Sequence, residues 1–78
     1  MTISEATKAR ILELCKEQNI TINKLATLSG ITQSTLSNII NGNSKTPTLQ
    51  TIQYLCYGFN IEIIDFFNSD FFKCLDES

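Results

Sequence analysis

The sequence predicts an all-α fold, a compact bundle of five short helices. Three observations carry that expectation: apolar residues recur at i, i+3 and i+4, threonines stand where helices would start, and asparagine or glycine stands where they would stop. The 78 residues suit one domain spanning 1–78, with a helical core over about 3–67 and an acidic, Phe-rich tail over 68–78. A chain of this length buries only about 60% of its unfolded surface, so its core is thin.

The elements follow in order. Thr2-Ile3-Ser4-Glu5 reads as a capping box, and the first helix runs from it to about Gln18. Ile11, Leu12, Leu14 and Cys15 give it a face to bury, and Asn19 can end it in a left-handed turn. Thr21 caps a second, short helix that carries Leu25, Ala26 and Leu28 and stops at Gly30. Thr32 caps the third, in which Leu36, Ile39 and Ile40 share one face while Gln33, Ser34, Ser37, Asn38 and Asn41 share the other. Asn41-Gly42 is a stop signal. Pro47 disfavours helix at Thr46, and Thr48 then caps a fourth helix, whose Leu49, Ile52, Leu55 and Cys56 lead to about Phe59. A fifth covers about Glu62 to Phe67.

Composition narrows the chemistry. Histidine is absent, which removes the commonest general base, and no Ser–His, Cys–His or H-E-x-x-H arrangement exists; an enzyme is not expected. Cys15, Cys56 and Cys74 have no C-x-x-C spacing, so neither a metal site nor any other cofactor is expected. Cys15 and Cys56 read as small core hydrophobes. No apolar run approaches a membrane span, and the N-terminus lacks the basic start and apolar stretch of a signal peptide, so a cytoplasmic protein is expected.

The net charge is −2 and the pI about 4.8, which taken whole does not suit a polyanion partner. The distribution is more informative. Lys8, Arg10, Lys16, Lys24 and Lys45 against Glu5, Glu13 and Glu17 leave residues 1–59 at +2. Lys73 against Glu62, Asp65, Asp70, Asp76 and Glu77 leaves residues 60–78 at −4. No acid lies between Glu17 and Glu62, so a polyanion meets no fixed negative charge there.

Two short helices joined by a tight turn make a helix-turn-helix pattern. The stretch Leu25-Ala26-x-x-Ser29-Gly30-Ile31-Thr32-Gln33-Ser34-Thr35-Leu36-Ser37-x-Ile39 resembles the Cro and phage-repressor (Xre-like) helix-turn-helix domain. The resemblance continues through Asn41-Gly42 and Pro47-Thr48-Leu49 and covers roughly residues 11–67. It implies a lambda-repressor-like bundle whose second and third helices bind double-stranded DNA, with the third in the major groove. Thr32, Gln33 and Ser34 then sit where family members touch bases and phosphates, with Ser37 and Asn38 one turn on.

The side-chain chemistry agrees. Gln and Asn pair bidentately with adenine, and Thr35 can offer a methyl group to thymine. Amides near Ile22 and Asn23, at the start of the second helix, would face a phosphate. Asn41, Asn43, Ser44 and Lys45 would grip the backbone further along, whereas Lys16 and Lys24 read as ordinary solvated residues.

Two departures from the family pattern stand out. Many relatives pair an Arg in the first helix with a Glu ending the third; those positions here are Cys15 and Ile40, an apolar pair without the desolvation penalty of a buried ion pair. Relatives often start the second helix with Gln, where this chain has Ile22, so one usual contact is missing and affinity should be modest.

The expected function is a sequence-specific transcriptional regulator, a repressor acting as a homodimer on a palindromic operator. The alternative is an antitoxin-like module that binds a partner protein. Phe66, Phe67, Phe71 and Phe72 are more aromatic area than a small core needs, and they are the expected dimer interface. The bland alternative folds all four rings onto the first and fourth helices.

Overall fold

A computed structural model of the chain describes residues 1–41 and 46–76. Its elements are α1 (Ile3–Gln18), α2 (Ile22–Ser29), α3 (Gln33–Asn41), α4 (Leu49–Phe59) and α5 (Ile63–Phe67), followed by a 3-10 turn at Asp70–Phe72. Among the described residues there is no strand. None of these helices is long and apolar enough to cross a membrane. The expected Asn43, Ser44 and Lys45 contacts lie outside the described residues.

Helix starts are set by threonine. The Thr2 hydroxyl accepts from the Glu5 amide while the Glu5 carboxylate accepts from the Thr2 amide at 2.8 Å, which completes the capping box. Thr21, Thr32 and Thr48 repeat the first half of it, accepting from the amides of Lys24, Thr35 and Thr51 at 3.0, 3.1 and 3.1 Å. At α5 the cap is Glu62, one residue before the helix proper, and the Asp65 carboxylate accepts from its amide.

Three of the connections use one joint. Asn19, Gly30 and Asn60 adopt left-handed conformations at φ 56°, 73° and 59°. An isoleucine follows each, and its amide donates back to Cys15, Ala26 and Cys56 at 3.0, 3.2 and 3.0 Å. Ile20, Ile31 and Ile61 all pack against the core, and an N-cap comes next. This is the Schellman ending with its apolar contact, and it turns the chain within three residues.

The core comprises Ile11, Leu14, Cys15, Leu25, Ala26, Leu36, Ile52, Leu55, Cys56, Phe59 and Phe66, all at or below 5% exposure. Cys15 belongs to it and Ile40 is half-buried against it, so neither reaches far into solvent and the place of the family's ion pair is apolar here. Full burial of each large apolar side chain is worth roughly 1.5–3 kcal/mol.

The C-terminal region differs from expectation. Phe66 is fully buried and cannot serve as a dimer contact. Phe67 and Phe72 are half-buried on the core, their rings meeting edge-on with centroids 5.0 Å apart, and Phe71 is half-buried beside Arg10. The rings of Phe66, Phe67 and Phe72 pack into the apolar core, and Arg10 on α1 ties the segment down. Its guanidinium donates to the carbonyls of Phe66 and Asp65, each at 2.7 Å, and to Glu13 at 2.6 Å. This cation at the C-terminal carbonyls of α5 ties the end of the short helix, which packs on α4, to α1. The segment after Asn68 is likewise packed: its 3-10 turn lies on α1, and the terminal ammonium of Met1 pairs with Asp76 at 2.8 Å.

Candidate nucleic-acid interface

The site is built on α3 and the turn before it. Gly30 reverses the chain in a left-handed conformation that most side chains other than asparagine would strain, and Ile31 anchors the turn to the core. The Thr32 hydroxyl accepts from the Thr35 amide and donates to the Thr35 hydroxyl at 2.8 Å. Leu36 is fully buried, and Ile39 and Ile40 pack against the core. Those three residues fix the rotation of α3 about its axis. Gln33, Ser34, Ser37, Asn38 and Asn41 are therefore turned outward, and all five are exposed, as are Thr32 and Thr35.

The outward face is a set of neutral donors and acceptors. The Asn41 amide donates to the Ser37 hydroxyl at 3.1 Å, while the side chains of Gln33 and Asn38 bond to no described residue. Capping leaves further donors. At α2, Thr21 satisfies the amides of Lys24 and Leu25, and those of Ile22 and Asn23 keep no partner among the described residues. At α3, the amides of Gln33 and Ser34 are left in the same way. Such unpaired amides, at the positive end of a helix dipole, favour an anion.

The structure thus turns Thr32, Gln33, Ser34, Thr35, Ser37, Asn38 and Asn41 outward on one element, with Asn23 exposed on α2. Fixed charge near them is sparse: α3 has no charged residue and α2 has only Lys24, which is exposed. Arg10 is spent on α5 and Glu13, and Lys73 pairs with Asp70 at 2.9 Å. Sequence reasoning missed the role of Arg10, because its partners are backbone carbonyls more than fifty residues away and leave no local pattern.

The family profile of the Cro/C1-type helix-turn-helix DNA-binding domain matches residues 10–70. The crystal structure of the prophage Lp1 protein 11 superposes with a TM-score of 0.81 at 40% sequence identity, covering 90% of this chain and 92% of that one. No curated protein sequence matches. With a profile spanning most of its length and a fold that presents α2 and α3 as described, the chain belongs to the Cro/C1-type helix-turn-helix DNA-binding domain family.

Proposed function

We propose that this chain is a transcriptional regulator, a repressor, that reads an operator with α3 in the major groove. One observation carries the reading: α3 turns a continuous amide-and-hydroxyl face to solvent from a stretch that holds no acid between Glu17 and Glu62. Backbone amides at the starts of α2 and α3 supply phosphate donors where lysines are few. Fluorescence anisotropy with random and selected duplexes tests it. Binding should be measurable at about 50 mM salt and weaken as salt rises. No binding at that salt would leave the interaction-module alternative, a domain that engages only a protein.

One helix-turn-helix reads few base pairs, and a homodimer on a palindromic operator reads two half-sites about 34–36 Å apart. With Phe66 internal, the joining surface on this reading is the outer side of α5. Ile64 is 77% exposed there, and Ile63, Phe67 and Asn68 line a shallow groove beside it. An isologous contact would cover it in both copies. Sedimentation at tens of micromolar should show a dimer that Ile64→Asp dissociates; a chain monomeric at that concentration would remove the dimer from the reading.

A further inference from the structure

Resting on the DNA-binding reading above, we propose that the base pairs read by α3 are A·T pairs, and that the helix carries no group that favours guanine or cytosine. In the major groove guanine presents two acceptors, N7 and O6, which call for two donors from one cationic side chain. Cytosine presents the N4 donor, matched by a carboxylate. The exposed side chains of α3 are Gln33, Ser34, Thr35, Ser37, Asn38 and Asn41, without an arginine, lysine, aspartate or glutamate among them.

Adenine presents an acceptor, N7, beside a donor, the N6 amino group, and a carboxamide carries the complementary pair. Gln33 and Asn38 offer both halves of that pair, since neither side chain bonds to a described residue. Asn41 gives one N–H to Ser37 and keeps its other N–H and its carbonyl oxygen. Thr35 is different. Its hydroxyl accepts from Thr32 at 2.8 Å and keeps its O–H, which can serve any base acceptor, so the group of Thr35 that discriminates is its methyl, the match for the thymine C5 methyl. Ser34 and Ser37 serve any base and do not discriminate. Every group on the face that does discriminate therefore favours the same base pair.

Selection of bound sequences from a random duplex pool with the full chain tests this, followed by replacement of each consensus adenine with 7-deazaadenine, which lacks only the N7 acceptor. The expected consensus has A·T pairs across the α3 contacts, and the replacement weakens binding about 5- to 150-fold at a contacted adenine. Asn38→Ala or Gln33→Ala, both on the exposed face, should abolish that sensitivity at one position each. A consensus whose contacts are guanines, weakened by 7-deazaguanine instead, overturns the A·T assignment while DNA binding stands. A pool from which no duplex is retained overturns the DNA-binding reading, and this proposal with it, while retention without enrichment overturns the A·T assignment alone.

Discussion

Gly58 on α4 faces Ser29 on α2 so closely that a Cβ at 58 would overlap the Ser29 hydroxyl and lie 3.2 Å from both Ser29 Cβ and Leu25 Cδ1. The absent side chain lets the two helices cross in near contact. The Ser29 hydroxyl is buried there without a partner among the described residues. Gly58→Ala should therefore destabilise by about 1–3 kcal/mol despite the helix propensity of alanine. Ser29→Ala should be neutral or stabilising, because it removes an unsatisfied polar group. In the double variant the cost of Gly58→Ala should fall. Urea denaturation of all four proteins would show this, and additive effects would mean that the two positions do not meet.

Arg10 should behave as a fork and not as a charge. Arg10→Ala should cost about 2–3 kcal/mol, since its hydrogen bonds to the α5 carbonyls are charge-assisted. Arg10→Lys should recover only part of that, because one ammonium cannot span both carbonyls. A lysine variant as stable as the parent in urea would sink the idea.

On DNA, readout and grip should separate. Gln33→Ala or Asn38→Ala should lose about 1–3 kcal/mol on the preferred site and little on random duplex, whereas Lys45→Ala should weaken both alike and lower the salt slope by about 1. The slope of the parent should already be shallow, because few cations can reach phosphates. Equal behaviour of Gln33→Ala and Lys45→Ala on both duplexes would contradict this division.

The thiols should report folding. Burial holds Cys15 and Cys56 above the ordinary thiol pKa and hides them, while Cys74 is exposed. A disulfide reagent at neutral pH should label one thiol in the folded protein and three after denaturation. Rapid labelling of a second thiol without denaturant would mean that the core opens.

The tie between Met1 and Asp76 should depend on pH at both ends. Their hydrogen bond raises the pKa of the terminal ammonium and lowers that of the Asp76 carboxyl. The raised group stabilises below its ordinary value of about 8 and loses its effect as pH climbs through the folded pKa. The lowered group stabilises above about 4 and loses its effect as pH falls through its own folded pKa. The tie is thus complete between those limits. In an NMR titration Asp76→Asn should lower the midpoint of the ammonium; an unchanged midpoint would show that the pair does not form.

The parts of the fold legible in the sequence are those made within one turn of chain. Thr2, Thr21, Thr32 and Thr48 each cap through an amide three residues on, and Asn19 and Gly30 stop helices by their own φ. The outward face of α3 was equally legible, because Leu36, Ile39 and Ile40 define its inward one. The C-terminal rings were not. Counting aromatics placed Phe66 outside, but its ring sits in a core assembled from distant helices and its carbonyl accepts from an arginine on α1, and separation in sequence conceals such contacts.

The repeated joint has a practical consequence. Asn19-Ile20-Thr21, Gly30-Ile31-Thr32 and Asn60-Ile61-Glu62 have a left-handed residue, a core-facing isoleucine and a cap in the same order. The chain thus contains three versions of one part and can serve as its own alignment. Where asparagine stands at two of the three turns, the third, beside α3, should accept it in place of glycine. Cassettes exchanged among the joints would then separate what any such turn requires from what the turn before α3 requires for its task.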